Sequence, residues 1–391
     1  VIALRSFIFF VICVPCFANP ALDALRTTLV AMRGKPPDSG GLRGATPQLT
    51  VAKHQLRDWV ESQLKGFPRD GDEGELQRKL NPQLRDAGLF CGEDAADRNP
   101  CPDLWTLNGF LSDLTLRRSG VFLILQTGIG IECGFDESAY LYAWSNEGWR
   151  RVWQTEQNTY KEKEYKPQTI RAVLISPHNK TNDYLVLTLG TNPWCTSNWH
   201  SVYYRAFRLG PDPTAEPPIN GAEIAYLGND PAIEGSVTQN EVLVEYAVRS
   251  IDARVHNRQA IRHYSIDGGS VRRIDPLALS PRDFVDEWLT HDWREAAFWS
   301  ESEHRRSALD WHNKLHKEFV AGDFIYPTMH CSATPDLWQV GIDFRDSTRN
   351  YFLVRWRPPF HFSMVNISDH PWPDCTAKDP QADEPRTRFP R

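Results

Sequence analysis

Methionine is nearly absent from this chain, 3 in 391 residues, and lysine is scarce, 11 against 33 arginines, a bias that genome base composition explains before function does. Positive charge is not in surplus. With 44 basic and 50 acidic residues the net charge is −6, so there is no electrostatic case for nucleic acid or an anionic membrane as partner. Beyond the first 15 residues no apolar run approaches the roughly 20 residues that span a bilayer as a helix. Gly-x-Ser-x-Gly, the P-loop and His-Glu-x-x-His are missing, which removes the commonest hydrolase, nucleotide and zinc-protease signatures. Gly128-Ile129-Gly130 leads towards a strand and is no dinucleotide turn.

What is present is aromatic, β-rich and partly repeated. Tyr184-Leu185-Val186-Leu187-Thr188-Leu189-Gly190 lies on Phe122-Leu123-Ile124-Leu125-Gln126-Thr127-Gly128 at an offset of 62, which also puts Cys195 on Cys133. At offset 63, Ser201-Val202-Tyr203-Tyr204 falls on Ser138-Ala139-Tyr140-Leu141. Period-two patterning predicts strands near 110–117, 121–127, 138–145 and 149–155, then near 168–175, 183–189, 200–208 and 222–227, then near 232–238, 241–249, 258–265 and 270–275. Ser145-Asn146-Glu147-Gly148 reads as a hairpin turn. Three antiparallel four-stranded units of about 60 residues follow the blade logic of a propeller, with a large β sandwich as the alternative. A fourth, truncated unit is expected over 337–367, where Phe352-Leu353-Val354-Arg355-Trp356 repeats the pattern of Tyr140 to Trp144.

Helical spacing marks 20–33 and 46–66 and, more weakly, 75–87, where Asn81-Pro82 is expected to interrupt the helix. Two further helices are expected as an insertion over 281–319. The division is then a signal peptide over 1–18, a helical N-terminal segment over 19–89, a β-repeat domain over 90–375 and a disordered tail over 376–391. The signal expectation rests on Arg5, the apolar run from Ser6 to Pro15 and the small residue Ala18 at the cleavage position. Its removal leaves a charge of −7 and places the chain in a secreted or periplasmic compartment, where disulfides persist. Six cysteines remain, allowing 15 connectivities. Position favours Cys91 with Cys101, Cys133 with Cys195 and Cys331 with Cys375.

Candidate chemistry is thin. Asp38-Ser39-Gly40-Gly41 resembles the nucleophile motif of trypsin-like serine proteases, but no histidine precedes it, and it reads as linker. His312 and His316 lie one helical turn apart with His304 two turns earlier, yet lack a supporting carboxylate or cysteine; an exposed polar face is expected, and no metal site and no cofactor. The acids of Asp70 to Glu75 depart from the EF-hand pattern and read as a solvated loop, as do those of Glu93 to Asp97. Trp144, Trp149, Trp153 and Trp356 are expected in the core. Trp194 and Trp199 flank Cys195 in a polar loop. A Cys133–Cys195 bond would set Trp194, Trp199, Asn198 and His200 beside Glu132, Asp136 and Glu137, rings with carboxylates and amides that suit a glycan or protein ligand. The first expectation is therefore a noncatalytic binding or interaction protein. A secreted hydrolase with loop-borne acids or histidines, and a structural envelope component, are the alternatives.

Overall fold

The computed structural model describes residues 19–33, 47–90, 109–112, 114–158, 167–178, 183–193, 197–209, 217–226, 233–255, 257–267, 270–315 and 323–378. The chain is mainly β, and its three sheets are antiparallel. Among the described residues no helix is long and apolar enough to cross a membrane.

Among the described residues three helices come first: α1 (Pro20–Val30), α2 (Pro47–Leu64) and α3 (Glu73–Asp86). Asn19 caps α1 by accepting the Ala21 N–H, and Asp72 caps α3 by accepting from Gly74 and Glu75. The acids expected as a solvated loop thus begin a helix. That helix runs through Pro82 without the expected interruption, because Leu76, Leu80 and Leu84 are buried as one stripe. Asn81 also clamps it, accepting from the Leu114 N–H and donating to the Leu114 carbonyl.

The first sheet is a meander of β1 (Thr115–Ser119), β2 (Phe122–Ile131), β3 (Gly134–Ser145) and β4 (Gly148–Thr155), in that order. Side chains alternate across it. Leu123, Leu125, Tyr140 and Tyr142 share a core with the three helices, while Phe122, Ile124, Ala139 and Leu141 pack on Ile170, Val173 and Val186 of the next sheet. The first sheet is therefore covered on both faces, which explains why β2 reads as an almost continuous apolar run. The β3–β4 turn is the expected one, with Ser145 paired to Gly148. Trp153 is buried as expected, but Trp144 stands at that hairpin's tip, is exposed, and meets Trp149 edge-on at 5.5 Å.

The second and third expected units form one eight-stranded sheet instead of two. Its strands are β5 (Thr169–Ile175), β6 (Leu185–Thr191), β7 (Trp199–Arg208), β8 (Ile219–Tyr226), β9 (Glu234–Val237), β10 (Glu241–Val248), β11 (Arg258–Asp267) and β12 (Ser270–Arg273), in the order β12-β11-β10-β8-β7-β6-β5, with β9 paired to β10. Among the described residues the two halves join where Val248 pairs with Ala225, the sole registered pair between β8 and β10 there.

The expected helical insertion follows as α4 (Pro281–Thr290), α5 (Trp293–Ala296) and α6 (Arg305–Leu315). Ser280 caps α4 by accepting the Asp283 N–H, and Pro281 occupies its first turn. The third sheet contains β13 (Phe324–Ile325), β14 (Met329–Cys331), β15 (Leu337–Asp343), β16 (Arg349–Arg357), β17 (His361–Ser368) and β18 (Cys375–Lys378). Its order is β17-β16-β15-β14-β18, with β13 paired to β15. Cys331 and Cys375 face each other across β14 and β18 and form the expected disulfide. Pairing carries β18 on to Lys378, three residues into the segment expected as tail. Phe284, Trp288 and Leu289 of α4 fill the core above this sheet with Trp338, Phe352 and Trp356.

Candidate functional site

One face of α4 is apolar and the other is not. Asp283, Asp286, Glu287 and Thr290, at helical spacing, turn towards the second sheet, where strand alternation puts Arg258, Ala260 and Arg262 of β11 on one face. Glu287 is fully buried. Its Oε1 lies 2.6 Å from Arg262 Nη1, 2.6 Å from Arg273 Nη2 and 2.7 Å from His291 Nε2, and its Oε2 lies 2.7 Å from Arg258 Nη2. Asp286 accepts from the Ser250 hydroxyl and the Ile251 N–H, at 2.7 and 3.0 Å. Arg262 spans the layers: its other edge grips Glu223 of β8 bidentately, at 2.5 and 2.6 Å.

Glu223 also accepts from the Tyr204 hydroxyl at 3.0 Å. That contact depends on Gly221, which pairs with Tyr204 across β7 and β8. A Cβ at Gly221 would sit 2.0 Å from Tyr204 Cζ, so only glycine lets the ring lie flat over the strand and reach Glu223.

Beside this network lies a cavity of ≈ 680 Å³, within the range of small-molecule sites. Trp199, Glu223 and Ile224 line it from β7 and β8, Val248 and Arg249 from the end of β10, Arg258 and Arg262 from β11, and Thr290 and His291 from the end of α4. Burial alone would push the Glu223 carboxyl up, but the Arg262 guanidinium outweighs it and holds the pKa at about 2. Burial likewise opposes ionisation of Glu287, and Arg262, His291 and Arg258 drive it well below the usual carboxylate range. For His291 burial favours the neutral ring, yet Glu287 and Glu295 raise its pKa. Glu223 and Glu287 are thus held ionised, and the His291 imidazole holds its proton more tightly than a free one.

Of the loop residues expected to form a site, Trp199 lines the cavity, half-buried and edge-on to Tyr226 at 5.1 Å. Asn198 is exposed and His200 half-buried, its pKa lowered by burial. Trp194 and Cys195 lie outside the described residues, as do Cys91 and Cys101. Asp136 is fully buried and accepts from Lys53 Nζ of α2 at 2.9 Å. Glu137 points to the opposite face, accepting from the Ile170 N–H at 2.7 Å and Gln126 at 3.1 Å. Glu132 is half-buried in the β2–β3 turn. None of these three acids lines the cavity that Trp199 lines. The two cysteine loops do approach: a Cβ at Gly134 would lie 3.1 Å from Pro193, and Cys133 is disulfide-bonded.

The histidine pair expected on an exposed helix face is not presented that way at His312, which is buried, bonds the His291 carbonyl at 3.0 Å and meets Trp288 edge-on; His316 lies outside the described residues. Glu301, Glu303 and His304 bring ligand atoms within 4.8 Å of one another, but Glu301 is already held by Arg355 at 2.6 Å and by the Ser363 hydroxyl at 3.0 Å.

Sequence reasoning missed Glu223, Arg258, Arg262, Arg273, Glu287 and His291. A signal existed in Phe284-Val285-Asp286-Glu287-Trp288-Leu289, where two acids interrupt an apolar helical run, and in arginines two alternations apart on one strand face.

No family model matches the sequence, and no curated protein matches it. Among solved structures, a GH43 β-1,3-galactosidase with galactodeoxynojirimycin is similar at 8% identity and a TM-score of 0.20, over 73% of this chain and 80% of that one. A Bacteroides ovatus protein described as xyloglucan PUL GH43B is similar at 10% identity and a TM-score of 0.15, over 68% and 55%. Likenesses this weak assign neither architecture nor chemistry.

Proposed function

We propose that this is a noncatalytic extracytoplasmic binding protein that seats a small ligand, or one terminal group of a glycan, in the cavity between the second sheet and α4. The observation that carries the reading is the state of the cavity's charged groups. A general acid needs a pKa raised towards the working pH. Glu223 is the sole carboxylate lining the cavity among the described residues, and its pKa is held at about 2 by Arg262. His291 is paired to Glu287 and Glu295 and so is a poor base. Fixed, fully ionised groups beside an indole favour recognition over proton transfer.

The Cys331–Cys375 bond supports an oxidising compartment, in keeping with a secreted or periplasmic location. Gly134 against Pro193 supports a Cys133–Cys195 bond that braces the loop before Trp199. In this reading the N-terminal helices are a brace on the first sheet and the ligand is met by the rest of the β-repeat domain. Its three antiparallel sheets fit a large sandwich as well as an open, propeller-like array.

The test is a thermal-shift screen of saccharides and small metabolites against the wild type and Thr290→Trp. The Thr290 hydroxyl donates within its own helix, so an indole there intrudes on the cavity without breaking a contact to another element. Ligands should raise the wild-type midpoint and leave the variant unmoved. Glycoside, ester or peptide turnover abolished by Glu223→Gln would establish the hydrolase alternative instead. A screen with no ligand at all would favour the structural envelope component.

A further inference from the structure

Resting on the binding reading above, we infer that the cavity takes an uncharged pyranose, the neutral end of a short saccharide, and turns away acidic and amino sugars of the same shape. The cations around the cavity are already matched. Arg258 Nε lies 2.9 Å from Asp286 and Nη2 lies 2.7 Å from Glu287, and its Nε and Nη1 are sealed from solvent. Arg262 commits all three nitrogens to Glu223, Glu287 and the Ile261 carbonyl. Both ring nitrogens of His291 are engaged, Nε2 by Glu287 at 2.7 Å and Nδ1 by Glu295 at 2.6 Å, and Arg273 meets the same two acids at 2.6 and 3.6 Å. Those four cations and the exposed Arg249 of the lining make five, against five acids once Asp283, which also acts on Arg258, joins Glu223, Asp286, Glu287 and Glu295. A carboxylate or ammonium brought in by a ligand would give up its water without meeting an unmatched counter-ion, a cost that a hydroxyl does not carry.

The lining leaves apolar surface and acceptors open. Ile224, 59% exposed although it lies within β8, lines the cavity together with the half-buried indole of Trp199 and with Val248. The C–H face of a sugar ring covers such a wall. The Thr290 hydroxyl donates to the Asp286 or Glu287 carbonyl, which leaves its oxygen to accept, and Glu223 is ionised with its side chain 27% exposed. Acceptors of this kind call for O–H donors. A neutral pyranose joins an apolar C–H face to several hydroxyl donors on one rigid ring, and ≈ 680 Å³ exceeds one sugar, leaving room for a second residue beyond it.

Calorimetric titration near neutral pH decides the matter by pairing each charged sugar with an uncharged counterpart of the same shape: D-glucuronate with D-glucuronamide and D-glucosamine with D-glucose, with cellobiose and lactose as longer probes. The uncharged member of each pair should bind at least about tenfold more tightly. Ile224→Lys sets one unmatched cation on an exposed strand position of the lining and should narrow the gap between D-glucuronamide and D-glucuronate by about threefold. The pairs are read on the wild type, so that result stands even if the variant does not fold. Charged sugars binding as tightly as their uncharged counterparts, with Thr290→Trp abolishing both, would overturn the preference for a neutral ring and leave the binding reading intact. An unchanged gap in Ile224→Lys would overturn charge balance as its cause. No binding by any of the uncharged sugars would overturn the inference as well, and uncharged-sugar binding that survives Thr290→Trp would overturn both it and the binding reading.

Discussion

Glu287 of α4 and Arg262 of β11 meet at 2.6 Å with side-chain exposures of 0% and 3%. Removing one member of such a pair leaves its partners charged and dry. Glu287→Gln should therefore cost about 3–5 kcal/mol in urea denaturation, since Arg258, Arg262, Arg273 and His291 all point at that carboxylate. A loss under about 1 kcal/mol would mean that water reaches the network.

The same cluster sets the pH dependence of stability. His291 has a folded pKa raised above its ordinary 6.5 by Glu287 and Glu295, despite burial and the nearby Arg262 and Arg273. Its contribution is complete below about pH 6.5 and is lost as pH rises through the folded value. Glu223 works the other way: its contribution is present above 4.5 and is lost as pH falls towards about 2. Asp283, raised by burial to about 6, costs stability as it ionises between 3.8 and about 6, so a decline that sets in above 6.5 belongs to His291 and not to Asp283. Urea midpoints across pH should fall on the alkaline side in the wild type and lose that slope in His291→Gln. An unchanged slope in the variant would place the proton elsewhere.

Gly221→Ala tests the floor of the site. A methyl 2.0 Å from the Tyr204 ring must displace it, at about 1–3 kcal/mol, and break its hydrogen bond to Glu223. Tyr204→Ala in the same chain should make the Gly221 substitution nearly neutral, because the clash is gone. Additive losses in the double variant would mean that β8 itself, and not the ring, requires glycine.

Much of the architecture was legible in the chain because it rests on local periodicity. The apolar run at Phe122 and its copy at Tyr184 mark β2 and β6, and Ser145 to Gly148 marks a turn whose chemistry is contained in four residues. The merging of two units into one sheet was not legible, since among the described residues it is registered at the Val248–Ala225 pair, 23 residues apart in sequence with no pattern of their own. The charge network was hidden for a related reason. Asp286 and Glu287 look like an exposed helix face until a strand 25 residues earlier supplies Arg262 opposite Glu287. Trp199 could be singled out from its polar loop, but its cavity is closed by side chains from four other elements.

The N-terminal helices are tied to the first sheet by one buried contact that the sequence did not announce. Lys53 of α2, 3% exposed, donates to Asp136 at 2.9 Å and to the Gln157 carbonyl at 3.0 Å. Lysine is almost never buried unless paired. Asp136 was expected to face a ligand loop, whereas in the folded chain it receives this cation. Lys53→Met should cost about 3–5 kcal/mol by leaving Asp136 buried without it, and Lys53→Met with Asp136→Val should recover most of the loss, because apolar side chains replace a buried pair at little cost. A double-mutant cycle in urea measures the coupling. Strictly additive losses would show the ion pair to be idle and leave the shared apolar core of Leu56, Val60, Leu125 and Tyr140 as what holds helices to sheet.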